Sequence, residues 1–334
     1  MKAAVLHAPQ DLRVEDAPDP TPGPGEVLVR VRAAGLCGTD YRIWSGDRPV
    51  RYPLIMGHEF IGDVVAVGAG VERVKPGDPV AVEPNYSCGH CSLCLAGNRN
   101  LCLKRTAVGI DVGGGFAELT LIPASCCWPA PPSLAEDQLL LAEPLAVVVR
   151  AVARGEVQSG ESAAVLGVGT LGLLAIQVLR ARGARVLAVG RSSRRLPLAK
   201  ELGAEAVHSL EEGWGALAAR HFTDGDGVDV VVETAGTHEA VGQAVELVRP
   251  GGRVVLTGLP HEASRVDFFW VVRRELRIIG SMIYQDEFSG ALSLLDRGLV
   301  QTTPLVTHRF PLGRIHDAFT AHRSPDSIKV ALIP

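Results

Sequence analysis

Four cysteines, Cys88, Cys91, Cys94 and Cys102, follow one another in the pattern Cys-x2-Cys-x2-Cys-x7-Cys. Thiolates are soft anionic donors, and four on one short loop can close a tetrahedron around zinc with no position left open. Such a metal is structural, because it staples a loop that has few apolar residues to hold it. His90 lies inside the pattern, but the cysteines already fill the shell. The chain has 334 residues and seven cysteines, with Cys37 alone and Cys126 next to Cys127. Crowding of this kind in a large chain indicates a metal site rather than a disulfide framework. The adjacent pair Cys126 and Cys127 is assigned no role.

A second chemical signal is Gly167-Val168-Gly169-Thr170-Leu171-Gly172. It lies between an apolar strand-like run and a helix-like run. In that setting the glycines permit a tight turn, close approach of backbone to a pyrophosphate, and close helix–strand packing. The helix start adds unpaired N–H groups and a positive dipole end, both suited to phosphate. The expected ligand is a dinucleotide, held by Gly167, Gly169, Thr170, Leu171 and Gly172. An NAD site carries an acid roughly 20 residues further on, where it binds the ribose 2′-hydroxyl. Here that segment reads Ala188-Val189-Gly190-Arg191-Ser192-Ser193. Gly190 leaves room where the acid would stand, and Arg191 and Ser192, with Arg194 or Arg195 nearby, are donors for a 2′-phosphate. NADP is therefore favoured, with NAD as the alternative.

The elements that must position these groups fall into two kinds. Up to about residue 125, short runs such as EVLVRVRAAGL, IGDVVAVGAGV and GDPVAVEP are separated by Gly/Pro turns, as in an antiparallel, barrel-like domain. From Glu161, apolar strands alternate with helices of ordinary length, which predicts a doubly wound parallel sheet. The expected fold class is α/β: a parallel Rossmann sheet plus a mainly β, GroES-like catalytic domain with a structural-zinc lobe. The expected boundaries are 1–147 for the catalytic domain (lobe 84–104), 148–284 for the dinucleotide domain, and 285–334 for a segment returning to the first. Net charge is -4 with no dense basic run, so neither nucleic acid nor an anionic membrane is an expected partner. The N-terminus lacks the apolar core of a signal peptide and charges interrupt the longer apolar runs, so a cytoplasmic location is expected.

Three dispersed segments complete the pattern: Cys37 in Gly-Leu-Cys-Gly-Thr-Asp, His58-Glu59 in Gly57-His58-Glu59-x2-Gly62-x5-Gly68-x2-Val71, and Glu143 in Leu-Ala-Glu-Pro-Leu. With the cysteine lobe and the glycine fingerprint in the same order, the chain resembles the zinc-dependent medium-chain alcohol dehydrogenases over essentially its whole length. Within that family it is most similar to the branch of polyol (sorbitol, butanediol) and threonine dehydrogenases, in which Glu143 stands where simple alcohol dehydrogenases have a cysteine.

The resemblance implies a catalytic zinc held by Cys37, His58 and Glu59 or Glu143, in addition to the structural zinc. Either carboxylate is a candidate for direct contact. Asp40 would orient the ring of His58, and Thr39 would relay the substrate proton. Lys329, a basic residue near the C-terminus, is placed within reach of Glu59 and is also counted with the cofactor set. Thr257, Gly258, Leu259, Gly280 and Ser281 would fix the nicotinamide carboxamide. Relatives carry a histidine at the position of Arg42, so here either water completes the proton path or Arg42 binds an anionic group. The implied reaction moves a hydride between a secondary alcohol or polyol and NADP or NAD. The alternatives are an L-threonine 3-dehydrogenase, a sugar-phosphate alcohol dehydrogenase, or a non-catalytic dinucleotide-binding scaffold. A homo-oligomer, tetramer or dimer, is expected.

Overall fold

The computed structural model describes residues 1–191 and 195–334. These form two compact units, Met1–Glu143 with Thr302–Pro334, and Pro144–Gln301.

The first unit is built around the long strand Glu26–Leu36, whose inward residues Val27, Val29, Val31, Ala34 and Leu36 are buried. It pairs antiparallel with Glu59–Val67, with Leu119–Pro123 and with Lys329–Ile333. The register matters for chemistry: Gly35 lies opposite Glu59 on one side and Ala331 on the other. The chain's last strand is thus an interior strand of the unit that contains its first residues. The helix Gly38–Ser45 starts where Glu26–Leu36 ends. Cys37 is its N-cap, the Asp40 carboxylate accepts the Cys37 N–H at 2.8 Å, and Gly46 closes it in the left-handed region. Among the described residues the cysteine lobe contains only one short helical turn, Ser92–Leu95, and a 3-10 turn, Arg99–Leu101, and it is flanked by the short antiparallel pair Asn85–Tyr86 and Thr106–Ala107.

The second unit is a parallel sheet with strand order Ala206–Ser209, Arg185–Gly190, Ser162–Leu166, Val228–Glu233, Val248–Leu256, Arg277–Gly280. This is the Rossmann order, and it reverses direction between Ser162–Leu166 and Val228–Glu233. Ser162–Leu166 is buried along its whole length, as a central parallel strand covered on both faces must be. Ala206–Ser209, absent from the sequence expectation, is a short, half-exposed edge strand. The unit boundaries also differ from those expected at 147/148 and 284/285. The helix Glu287–Asp296 belongs to the second unit: Phe288 is fully buried against Tyr284, and Glu287 pairs with Arg150 at 3.0 Å. The return to the first unit begins at Thr302. No helix among the described residues is long and apolar enough to cross a membrane.

Candidate functional site

In the first unit the ligand atoms of Cys37, His58 and Glu59 all lie within 4.8 Å of one another. Two adjacent antiparallel strands and one helix start bring them together. Cys37 caps the helix that follows Glu26–Leu36, and Glu59 opens the strand paired with it. A thiolate, an imidazole and a carboxylate at such separations are a donor set for zinc. Asp40, fully buried, places Oδ1 3.3 Å from Nδ1 of His58, close enough for charge to act although the pair lacks hydrogen-bond alignment. Burial alone would lower the imidazole pKa; the charge of Asp40, helped by Cys37, outweighs it and holds the ring well above its ordinary value.

Behind the cluster, Lys329 Nζ donates to Glu59 Oε2 at 2.5 Å and to the Leu36 carbonyl at 3.3 Å. Burial pushes both groups toward neutrality, but each holds the other charged: Glu59 stays below and Lys329 above its usual value. Lys329, expected both within reach of Glu59 and in the cofactor set, has its ammonium hydrogen-bonded to Glu59 inside the first unit. Glu143, buried, lies outside the 4.8 Å group but near enough to Lys329 for its charge to help keep the ammonium protonated. Thr39 occupies the first turn of the helix and Arg42 the next, three residues on and so on an adjoining part of the same face. The Arg42 guanidinium has no hydrogen-bond or ion-pair partner among the described residues.

The lobe brings Cys88, Cys91, Cys94 and Cys102 into one group. Four of the Sγ–Sγ separations are 3.5, 3.5, 3.9 and 3.9 Å. A tetrahedron with zinc–sulfur bonds of about 2.3 Å has edges of roughly 3.8 Å, so the sulfurs fit a closed zinc site. His90 Nδ1 is engaged with the Cys88 carbonyl at 2.7 Å, outside the sulfur group.

In the second unit the three fingerprint glycines meet different surroundings. Gly167 has φ +104°, a turn that disfavours any side chain. Gly169, the N-cap of the helix Thr170–Ala181, faces open space where a Cβ would point. At Gly172 a Cβ would sit 1.8 Å from the Gly167 carbonyl oxygen, so helix and turn touch backbone to backbone. Thr170 and Leu171 form the first turn of that helix. At Gly190 a Cβ would lie 2.5 Å from Val168 Cγ2, so this position is small for packing reasons as well. Arg191 is exposed, and its charge reaches Glu239, which it helps to hold below the ordinary carboxylate range. Arg195 begins the helix Arg195–Glu201, and Ser192 and Arg194 lie outside the described residues. Thr257 and Ser281 directly follow the strands ending at Leu256 and Gly280. Both are buried, and their hydroxyls have no hydrogen-bond partner among the described residues. Gly258 packs on Gly236, and Leu259 is exposed.

Sequence reasoning passed over Glu233, a fully buried carboxyl at the end of Val228–Glu233. Its signal was an acid placed directly after three valines, where a buried parallel strand should stay apolar.

Comparison with known proteins gives two matches in chain order. Residues 23–132 match the alcohol dehydrogenase GroES-like domain, and residues 170–297 match the zinc-binding dehydrogenase domain. A sorbitol dehydrogenase from Halalkalibacterium halodurans is 34% identical, covering 100% of this chain and 99% of its own. An L-threonine 3-dehydrogenase from Bacillus licheniformis is 36% identical, covering 92% and 91%. Among solved structures, a zinc-binding dehydrogenase from Sinorhizobium meliloti, bound to NADP, superposes with a TM-score of 0.96 at 35% identity, covering 100% and 99%.

Proposed function

The chain belongs to the zinc-dependent medium-chain alcohol dehydrogenase family, and from that premise we propose that it interconverts a polyol and its ketone, with NADP preferred to NAD. The observation that carries the reading is the Cys37–His58–Glu59 group, three donor types within 4.8 Å of one another. Bound there, zinc supplies Lewis-acid polarisation of the substrate hydroxyl, and the dinucleotide supplies the hydride acceptor.

The chain's own residues do the rest. Cys37, His58 and Glu59 hold the metal, with Glu143 as the alternative carboxylate. Asp40 keeps the His58 ring oriented, and Lys329 balances the charge of Glu59 from behind. Thr39, one turn before Arg42 on the same helix, relays the substrate's hydroxyl proton, accepting it while passing its own proton on to water. Cys88, Cys91, Cys94 and Cys102 hold the structural zinc. Gly167, Gly169, Thr170, Leu171 and Gly172 receive the pyrophosphate. Gly190, Arg191, Ser192 and Arg195 receive the adenosine ribose and its phosphate. Thr257, Gly258, Leu259, Gly280 and Ser281 receive the nicotinamide end. The NADP-bound Sinorhizobium structure, so similar over its full length, supports the preference for NADP.

The unpartnered Arg42 favours a second, narrower reading: a substrate that carries a carboxylate or phosphate besides its secondary hydroxyl. Threonine and sugar phosphates fall in that class. Oligomerisation, as dimer or tetramer, is supported by the edge strand Arg277–Gly280 and by the exposed Phe268, Phe269, Trp270 and Val272 just before it.

The deciding experiment follows nicotinamide reduction by the zinc-loaded protein with 2,3-butanediol, sorbitol, xylitol, L-threonine, galactitol 1-phosphate and ethanol, each with NAD and NADP. NADP-linked turnover of a neutral polyol supports the main reading, and turnover confined to anionic substrates supports the narrower one. Turnover of L-threonine with NAD alone overturns the cofactor assignment.

A further inference from the structure

The fingerprint turn and the strand ends proposed for the nicotinamide belong to different βα units, yet both must be registered on one rigid ligand. The structure shows what ties them together. Glu233 ends the strand Val228–Glu233, beside the topological switch. Its carbonyl accepts the N–H of Thr257 at 3.0 Å and that of Gly258 at 3.3 Å, which fixes the end of the neighbouring strand. Its side chain turns back on its own loop, where Oε1 accepts the N–H of Gly236 at 2.7 Å.

That loop is in turn packed on the fingerprint. The Thr234 hydroxyl donates to the Gly167 carbonyl at 3.0 Å, and a Cβ on Gly167 would lie 2.8 Å from the Ala235 nitrogen. On the other side Gly258 crosses Gly236 so closely that a Cβ on Gly258 would stand 2.3 Å from the Gly236 nitrogen and 2.7 Å from Glu233 Oε2. One carboxyl therefore sits beneath the crossing of two backbones. One leads to the pyrophosphate turn and the other to Thr257.

A buried carboxyl is an expensive way to fill space, because its desolvation must be offset. Burial raises the Glu233 pKa, and the N–H groups of Gly236, Ala235 and Gly258 only partly oppose it. Oε2 has no hydrogen-bond partner among the described residues. A methionine would fill a similar volume without that penalty, but it offers no strong acceptor for the Gly236 N–H.

We propose that Glu233 is a positioning residue for the dinucleotide: it clasps the loop after its strand to the end of the next strand and so sets the spacing between the pyrophosphate turn and the nicotinamide end. This rests on the dinucleotide reading given above. Glu233 touches no reacting atom and acts through Gly236 and Gly258.

The test compares E233Q, which keeps an acceptor, with E233M, which keeps the volume and removes it. Both are assayed as zinc-loaded enzymes with NADP and with the best alcohol of the panel. E233M is expected to raise KM for NADP about tenfold, with kcat and the alcohol KM changed less than about threefold, while E233Q stays within about threefold of wild type throughout. A loss that is merely structural lowers melting temperature without that split and is not rescued by glutamine. An unchanged KM in folded E233M overturns the assignment, as does E233Q that is impaired equally. If E233M does not fold, E233A takes its place with the same expected rise, and an unchanged KM is equally decisive. A wild-type enzyme that binds neither NADP nor NAD sinks the dinucleotide reading itself, whereas binding unaffected by the variants sinks only the role of Glu233.

Discussion

Glu59 and Lys329 meet across Gly35, a residue with no side chain to separate them. The two are buried to 3% and 4% side-chain exposure. A Cβ on Gly35 would lie 2.5 Å from Glu59 Oε2 and 3.4 Å from Lys329 Cδ. Removing one partner of a buried pair leaves the other charge uncompensated, which costs on the order of 3–5 kcal/mol. Lys329→Met is therefore expected to lower unfolding free energy by about that amount in a urea titration of the metal-free protein, where no zinc offsets the Glu59 charge. A loss under about 1 kcal/mol would mean that Glu59 finds equivalent compensation without the lysine.

If NADP is the preferred cofactor, as proposed, its selection is expected to depend on Gly190 together with Val168. Installing an acid at position 190 is the obvious route from NADP to NAD, but its Cβ would meet Val168 Cγ2 at 2.5 Å. Overpacking of this kind costs about 1–3 kcal/mol. Gly190→Asp alone is thus expected to lose NADP activity without gaining much with NAD, and the double variant with Val168→Ala to gain NAD activity. Arg191→Ala should raise KM for NADP roughly tenfold, the loss expected for one charge-assisted contact, and leave NAD nearly unchanged. Equal effects on the two cofactors would show that Arg191 does not read the 2′-phosphate.

The lobe has little apolar core, since Leu95, Leu101 and Leu103 are exposed, so its order is expected to depend on metal. Chelation should lower the melting temperature and make Cys88, Cys91, Cys94 and Cys102 reactive toward a thiol reagent. Cys126 and Cys127 should stay silent until the chain is denatured. Burial pushes both thiols up to about 12, so at any ordinary assay pH they are neutral as well as enclosed. Mass-spectrometric mapping of the label checks this, and early labelling at Cys126 would contradict it.

What the sequence made legible follows from how local each signal is. The cysteine spacing and the glycine fingerprint lie within single loops, and the residues concerned come together in the structure as that spacing implies. Cys37, His58 and Glu59 were legible only through family likeness, because their meeting depends on strand register, Gly35 opposite Glu59, which no short window encodes. The edge strand Ala206–Ser209 went unseen because it is short, only Ser209 of its four residues is buried, and Ala-Val-His-Ser has no clear alternation. The second unit runs past residue 284 to Gln301, which the sequence does not signal because the helix Glu287–Asp296 reads as an ordinary amphipathic segment. Its membership is decided by Phe288 packing back on Tyr284 and by Glu287 against Arg150, the second a contact between residues far apart in the chain. Glu233 was missed for a similar reason: its task lies in two backbones that meet only when the sheet forms.

Arg42 provides the sharpest test of substrate class. It stands one helical turn past Thr39, on a helix whose N-cap is Cys37; the residue is half-buried and its guanidinium has no carboxylate partner among the described residues. An arginine left unpaired in such a place is suited to a planar, bidentate contact with a carboxylate or phosphate on a substrate. Hydrogen bonds to a charged group contribute about 1.5–3 kcal/mol, which corresponds to roughly ten- to a hundredfold in KM. Arg42→Met should therefore raise KM by that factor for an anionic substrate such as galactitol 1-phosphate or L-threonine and leave a neutral polyol almost untouched. Arg42→Lys should recover only part of the loss, since an ammonium keeps the charge but not the fork. If neutral and anionic substrates suffer alike, Arg42 acts on the proton path from Thr39, and the loss should then appear in kcat rather than in KM.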